Sequence, residues 1–116
     1  MKLQLDTIHF DNILNKTKIY ETRIFDKKRK MIKLLDEVIF IDRNSDRTFK
    51  AIITELSFYK NFRDAISSVG VKKVLPNVRS LEDGIKLYES IPHNEGGTYK
   101  DAAIKYGILR MKFELI

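Results

Sequence analysis

Four charged residues near the start of the chain are of types that can bind a phosphate or take part in nucleophilic or acid–base chemistry. They are Lys16, Lys18, Glu21 and Arg23. Side chains two apart on a strand point to the same face, so Glu21 and Arg23 are expected about 7 Å apart, where they can pair or share a ligand. A neighbouring Lys could anchor a phosphate, or act as a nucleophile or base if desolvation lowers its pKa. The alternative is a structural ion pair at the mouth of a barrel, because buried charges must compensate one another.

The element that must position these residues is a strand. Residues 18–25 are rich in β-branched and aromatic side chains, which predicts a second strand after an opening strand at residues 2–6 and a short helix. Residues 37–42 and 49–58 are apolar segments, and residues 43–47 between them have turn chemistry, which predicts a hairpin.

The rest of the chain predicts a mixed fold. Helices are expected after Asn61 and Ser80, each of which is a capping residue followed by an apolar stripe at helical spacing. The alternation from Leu109 to Leu115 predicts a closing strand, whereas residues 93–106 are polar enough for a loop, with a helical turn as the alternative. We predict a single α+β domain over residues 1–116, a small mixed β-barrel of five to six strands flanked by two or three short helices.

The net charge of +6 lies in one segment. The chain has 22 Lys and Arg residues and 16 Asp and Glu residues. Residues 16–33 contain eight of the basic and two of the acidic residues, so the rest of the chain contains 14 basic and 14 acidic residues and is neutral. The segment includes an uninterrupted basic run, which consists of Lys27, Lys28, Arg29 and Lys30. Such a run is either a solvated loop or a contact for phosphates.

Several classes of site are excluded by the sequence. It contains no Cys, which removes disulfides, thiolate zinc sites and Cys nucleophiles, and it has no P-loop or dinucleotide-type glycine motif. His9 and His93 lie in different predicted elements and are expected to be surface or capping residues. No apolar run approaches the ~20 residues of a membrane span. We therefore expect a cytoplasmic protein with no cofactor, no metal and no membrane partner.

The charged residues are part of a longer ordered pattern. Residues 16–23 read K-T-K-I-Y-E-T-R, and the pattern continues through four further segments: 24–33, 36–40, 59–62 and 106–109. This order resembles the activating-signal-cointegrator homology (ASCH) domains of the PUA-like superfamily, whose motif is G-x-K-x-x-E-x-R, over essentially the whole chain. Lys18, Glu21 and Arg23 match the motif. Lys16 and Leu35 depart from it, because each stands where the family usually has Gly.

The resemblance implies a barrel with a cleft where Lys18, Glu21 and Arg23 converge, and a role in binding RNA or a nucleotide. Lys18 and Arg23 would contact phosphate, while Glu21 would orient Arg23 or accept a hydrogen bond from a base. The stacking candidates, each equally compatible with a core position, are Tyr20, Tyr59 and Tyr99. The basic surface around the cleft would comprise Lys16, Lys27, Lys28, Arg29 and Lys30.

Two other hypotheses remain. The first is a small hydrolase acting on a modified nucleoside or RNA, with Lys18 as the activated group beside Glu21. One ASCH branch resembles acetylcytidine amidohydrolases, which use a Thr where this chain has Glu21 and a further Glu, but residues 69–75 contain no carboxylate. Another branch resembles metal-dependent ribonucleases, and no carboxylate cluster in the sequence recommends a metal. The second hypothesis is a protein-interaction domain that uses the basic segment.

Overall fold

A computed structural model describes all of residues 1–116 and contains five strands and five helices. The strands are β1 (Lys2–Leu5), β2 (Tyr20–Ile24), β3 (Glu37–Asp42), β4 (Thr48–Tyr59) and β5 (Ile108–Leu115). The helices are α1 (Thr7–Leu14), α2 (Phe62–Ser67), α3 (Val71–Val74), α4 (Leu81–Glu89) and α5 (Tyr99–Tyr106). None of them combines the length and apolar content that crossing a membrane requires.

The five strands form one mixed sheet in the order β1-β3-β4-β5-β2. β1 runs parallel to β3, and all other neighbours are antiparallel, including the predicted hairpin of β3 and β4. A register shift between Ile53 and Glu55 interrupts the pairing of β4 with β5, and such irregularities bend a sheet. The sheet curls into a half-barrel. Because β1 and β2 are its edges, the half-barrel is open between them.

Apolar side chains form a separate core on each side of the sheet. β5 contributes to both, since Leu109 and Met111 pack in the core that contains Phe10 and Ile13 of α1, whereas Ile108 packs in the core built with α2, α4 and α5. This division follows from the two-residue period of a strand. The predicted α+β class and mixed barrel-like architecture are confirmed.

The helices begin where the capping residues predict, with two additions. The side chains of Asn61 and Ser80 accept hydrogen bonds from backbone N–H groups in the first turns of α2 and α4. The additional helices are the single turn α3 and the helix α5, which fills the stretch expected mainly as a loop. α5 begins after Thr98, whose backbone N–H donates to the carboxylate of Asp101 at 3.3 Å.

Two residues other than Gly have a positive φ. They are Lys16, at 67°, and Leu35, at 70°. Lys16 lies in the turn that ends α1, where the backbone N–H groups of Thr17 and Lys18 both bond to the carbonyl of Asn12. The turn leads from α1 into β2. The left-handed conformation costs an L-residue roughly 1 kcal/mol, and both positions are those at which the ASCH pattern has Gly.

Candidate functional site

The opening of the half-barrel contains a cleft. Arg23 of β2 spans the two edge strands, because its Nη2 donates to the backbone carbonyl of Gln4 in β1 at 2.9 Å. On one side of this bridge lies a cleft of about 140 Å³, lined among others by His9, Glu21 and Tyr88. An adjoining cavity of about 480 Å³ shares Arg23 and Gln4 with it. Arg23 therefore faces two connected spaces.

Lys18, Glu21 and Arg23 converge, as the sequence predicted, in one ionic network. One carboxylate oxygen of Glu21 lies 3.2 Å from Lys18 Nζ and accepts a hydrogen bond from the Tyr88 hydroxyl at 2.7 Å. The other oxygen accepts from Arg23 Nη2 at 3.1 Å. Lys18 Nζ also donates to the backbone carbonyl of Val74 and, at 3.3 Å, to the Tyr88 hydroxyl. The network is built by β2, the turn before it, α3 and α4.

The three motif residues differ in their access to the cleft. The Lys18 side chain is only 1% exposed and lines neither space, although Lys18 belongs to the wall of a separate cavity of about 370 Å³. The Arg23 side chain is 13% exposed and lines both spaces. The three protons of the Lys18 ammonium already have three acceptors. The geometry thus divides the motif into a sealed cation, a bridging carboxylate and a cation that faces the opening.

Burial and charge shift the pKa values of this network in definite directions. Burial tends to raise the pKa of Glu21, but the charges of Lys18 and Arg23 and the Tyr88 hydrogen bond outweigh it and bring the value to about 2. Burial lowers the pKa of Lys18 despite the neighbouring carboxylate. Burial and the Glu21 charge raise the pKa of Tyr88, which keeps its phenol as a donor. Glu21 is therefore an anion held by its neighbours.

The larger cavity is strongly cationic. Its charged lining residues are Lys2, Arg23, Lys28, Arg29 and Arg43, and no Asp or Glu lines it. Three of the five have carboxylate partners elsewhere, but Lys2 and Lys28 form no ion pair. Basic groups that converge on a concave surface without interspersed carboxylates make an electrostatic site for an anion.

His9 provides a polar group without a partner in the smaller cleft. Its Nδ1 atom is buried and makes no hydrogen bond. Burial, followed by the charge of Lys18, lowers the pKa of His9, so the imidazole is neutral near pH 7. A neutral imidazole can donate one hydrogen bond and accept another. The cleft therefore offers a hydrogen-bonding ring beside the Glu21 carboxylate.

A second buried carboxylate fixes the basic run. Asp26 is bonded at 3.0 Å both to Arg29 and to Nε2 of His93. Asp26, His93 and Glu95 place potential metal ligands within 4.8 Å of one another, but Glu95 accepts from the Tyr106 hydroxyl at 2.6 Å and the Arg29 guanidinium faces Asp26. A cation beside the carboxylate disfavours a metal. The cluster instead ties residues 26–29 to the segment before α5.

The remaining predicted residues lie at different distances from the cleft. Lys28 and Arg29 line the cationic cavity, whereas the exposed Lys16 lines a separate cavity with Ile13 and Phe113. Tyr59 lines neither space at the opening, and its ring is covered by the guanidinium of Arg110 at 4.9 Å. Two basic-run residues, Lys27 and Lys30, are exposed and line neither space. Only part of the predicted set of site residues therefore lies at the opening of the half-barrel.

Some residues of the cleft were not singled out by their sequence context. Arg43 belongs to the hairpin loop, Lys2 to the opening strand, and Tyr88 to the apolar stripe of α4. His9 was expected to be a surface or capping residue. Their common feature is position at the sheet opening, which depends on the pairing of strands distant in sequence. Tyr99, one of the stacking candidates, does line both spaces.

Comparison with known proteins supports the fold and adds no activity. No family model matches the chain, and no curated protein matches it. The crystal structure of hypothetical protein PH0355 is similar, with a TM-score of 0.83 and 28% identity over 99% of this chain and 97% of that one. The solution structure of protein PF0455 from Pyrococcus furiosus has a TM-score of 0.74 and 27% identity over 100% and 98% of the two chains. The whole chain thus has the architecture of these two proteins.

Proposed function

We propose that this protein binds RNA or a nucleotide in the opening of the half-barrel, with the cationic cavity holding phosphate and the smaller cleft holding a base. The observation that carries the proposal is the cavity lined by five Lys and Arg residues and no carboxylate. Phosphate contacts supply most of the affinity in nucleic-acid binding. RNA and nucleotides are abundant in the cytoplasm, where the sequence predicts the protein to act.

Arg23 is the residue that links the two parts of this site. Its guanidinium is fixed by the Glu21 carboxylate at 3.1 Å and by the Gln4 carbonyl at 2.9 Å. A cation held on two sides loses little conformational freedom when it binds a phosphate, which favours affinity. The Glu21 charge also raises the pKa of Arg23. Arg23 is thus a permanent cation at the boundary between phosphate and base.

The smaller cleft has the properties of a base pocket. Its walls include the aromatic residues Tyr88 and Tyr99, which offer apolar surface, and its polar lining residues include His9 and Glu21. Pockets for small ligands combine apolar walls with a few fixed polar groups. Single-stranded RNA is recognised by the same combination of stacking and hydrogen bonds to base edges.

The ASCH resemblance also supports this proposal. The two positions at which the family pattern has Gly, occupied here by Lys16 and Leu35, are the two non-Gly residues with positive φ. Gly adopts a positive φ without strain, so a chain with the same turns as the family is expected to have a positive φ at both positions. The motif residues Lys18, Glu21 and Arg23 lie in one network beside the cleft.

The test is the salt dependence of RNA binding by a cleft variant. Fluorescence anisotropy with a labelled single-stranded RNA compares the wild type with the double variant Lys28→Gln/Arg43→Gln. Both residues are exposed and line the cationic cavity. We expect affinity to fall roughly tenfold or more at low salt, and the slope of log K against log salt to flatten by about 1.4 if each residue contacts one phosphate.

The matched control is the double variant Lys33→Gln/Lys50→Gln, which removes the same charge from exposed lysines that line neither space. It should bind like the wild type apart from a small nonspecific loss. Equal weakening by both variants would mean that only net charge matters. Absence of wild-type binding to a mixed RNA pool at low salt would refute the proposal.

A hydrolase acting on a modified nucleoside or RNA is the second candidate. The observation that favours it is the contact of Lys18 with Glu21 and Tyr88, two residues that line the cleft, together with the lowering of the Lys18 pKa by burial. Because its side chain is sealed, Lys18 would act through these two residues. Incubation with acylated nucleosides and RNA, followed by mass spectrometry, tests it. Turnover that Lys18→Met abolishes, with RNA affinity and the circular-dichroism spectrum retained, would support an enzyme; unchanged substrates across neutral pH would count against one.

A further inference from the structure

An exposed aromatic groove lies outside the cleft, at the far end of β4. Its volume is about 490 Å³, and its walls include Phe25, Phe58, Tyr106 and Ile104. Phe58 is 58% exposed and Ile104 is 82% exposed, which is unusual for large apolar side chains. The rings of Phe25 and Phe58 contact each other with centroids 4.8 Å apart. The groove thus presents flat apolar surface to solvent.

The floor of this groove is backbone. Gly107 has a φ of 80°, and a Cβ atom there would lie 3.0 Å from the backbone carbonyl of Tyr59. Its own carbonyl accepts from the N–H of Phe25 at 2.9 Å. Gly107 therefore lets α5 end close against β4, which leaves the groove lined by the flanking rings rather than filled by a side chain.

Lysines surround the aromatic surface. Lys60 lines the groove, Lys105 Nζ lies 5.0 Å from the centre of the Tyr106 ring, and Lys30 Nζ lies 5.9 Å from the centre of the Phe25 ring. No carboxylate lines the groove, although Glu95 accepts the hydroxyl hydrogen of Tyr106 at its edge. Aromatic faces among lysines complement an unpaired base with its phosphates, because the rings stack and the ammonium groups attract the anions.

The groove and the cationic cavity share no lining residue, but one short segment of chain connects their walls. Phe25 lines the groove, Asp26 is tied to His93 at 3.0 Å, and Lys28 and Arg29 line the cavity. The three residue steps from Phe25 to Lys28 span at most about 11 Å. A single strand that binds in the cavity can therefore reach the groove by crossing the basic run.

We propose that this aromatic groove binds an unpaired base of a single-stranded RNA whose phosphates occupy the cationic cavity, with Phe58 as the stacking surface. The inference rests on the proposed function and extends it from one nucleotide to a strand. It assigns a role to Lys30, which lines neither space at the opening. It also moves the stacking role predicted for Tyr59 to its neighbour, since the Tyr59 ring is covered by Arg110.

The experiment measures binding of a fluorescein-labelled oligouridylate of about eight nucleotides, a length within the range of single-strand site sizes. We expect Phe58→Ala to weaken binding about tenfold without changing the salt slope, because stacking is lost and no charge is removed. Phe58→Tyr should stay within about twofold of the wild type. Because Phe58 is largely exposed, the fold should tolerate both changes, which circular dichroism would check.

The outcomes separate this inference from the proposed function. If Phe58→Ala binds like the wild type while Lys28→Gln/Arg43→Gln is weakened, the groove is not an RNA site and the cleft proposal stands. If the wild type fails to bind at low salt, both proposals are wrong. If Phe58→Ala instead abolishes a concentration-dependent association seen in analytical ultracentrifugation and leaves RNA binding intact, the groove is a contact between copies of the chain.

Discussion

Two buried carboxylates, Glu21 and Asp42, have opposite surroundings. Glu21 is bonded to Lys18 and Arg23, which are close to it in the chain, and to Tyr88 of α4, and it lines the cleft. Asp42 is bonded to Thr7 at 2.7 Å, to Ser45 at 2.8 Å and to Arg47 at 3.0 Å. It lines neither space at the opening. Both side chains are nearly inaccessible to solvent, so burial alone does not distinguish them.

The partners of the two carboxylates explain the difference. Those of Asp42 come from the hairpin loop after β3 and from the first residue of α1, and they satisfy the acid as a turn normally does. The Thr7 hydrogen bond and the other donors of this turn outweigh burial and lower the pKa of Asp42. Glu21 is instead held between two cations, Lys18 and Arg23.

The number and charge of the partners distinguish a carboxylate that only stabilises a turn from one that holds cations beside a cleft. In the Asp42 cluster, the hydrogen-bond donors Thr7, Ser45 and Arg47 all bond to the Asp42 carboxylate, and this carboxylate lines neither space at the opening. The Glu21 cluster has one more cation than anion while its lysine is protonated, and it borders a cleft where a buried nitrogen of His9 has no partner. An uncompensated positive charge next to a cavity is complementary to an anionic ligand.

The largest expected effect is that of Glu21→Gln. The amide keeps the size of the side chain but leaves Lys18 and Arg23 buried without their counter-charge, and removal of one partner from such a network costs about 3 kcal/mol or more. Urea unfolding monitored by circular dichroism measures the loss. A change below about 1 kcal/mol would mean that the two cations are not held by this carboxylate.

The loss of stability at low pH should also depend on the Glu21 carboxylate. The pKa of Glu21 is about 2 in the folded protein and about 4.3 in an unfolded chain, so its stabilisation is complete above about pH 5 and is lost as pH falls from about 4 to 2. The difference corresponds to about 3 kcal/mol. Unfolding free energies measured from pH 6 to 2.5 should decline less steeply in Glu21→Gln than in the wild type. Identical slopes would contradict the low pKa.

Asp42→Asn sharpens the comparison, because it makes the same chemical change in the closed cluster. Stability should fall less than for Glu21→Gln, since neutral hydroxyl groups supply part of the hydrogen bonding and the Arg47 partner is half exposed. RNA affinity measured by anisotropy should stay within about twofold of the wild type. Weakened RNA binding by this folded variant would remove the distinction between the two acids.

The smallest effect concerns the turn that positions Lys18. Lys16→Gly removes the backbone strain of a Lys with positive φ, which stabilises the folded state. The greater conformational freedom of Gly in the unfolded chain offsets part of this stabilisation. We expect stabilisation of about 0.5 to 1 kcal/mol and a matching rise in the thermal midpoint. The control Lys33→Gly lies at a residue without positive φ and should not stabilise. Destabilisation by Lys16→Gly would show that its side chain matters more than its φ.

The sequence predicted what depends on local contacts. The hairpin of β3 and β4 and the caps at Asn61 and Ser80 are each specified by residues within one turn or loop, and all three are present. The pairing of Glu21 with Arg23 follows from the strand period in the same way. The prediction of a loop before Tyr106 was wrong in part, because the Thr98–Asp101 cap starts a helix there.

Long-range features could not be predicted. Lys18 is sealed because Val74 and Tyr88, 56 and 70 residues away, supply its acceptors. The cationic cavity depends on β1 and β2 being the two edges of one sheet, which brings Lys2 and Arg43 near Arg23. Arg110 is a charged residue of the alternating last strand, yet it is buried with its guanidinium against the rings of Tyr20 and Tyr59. Such positions follow from packing rather than from spacing in the chain.

The central claim is that the opening of the half-barrel, and not the basic segment in general, binds RNA. The most direct test is an NMR titration of nitrogen-15-labelled protein with a short single-stranded RNA. We predict that the largest shift changes occur at Gln4, Arg23 and Lys28, while Ser45 in the Asp42 turn and the exposed Lys33 stay unchanged. Changes confined to exposed lysines with Gln4 and Arg23 unmoved, or no changes at low salt, would contradict the account.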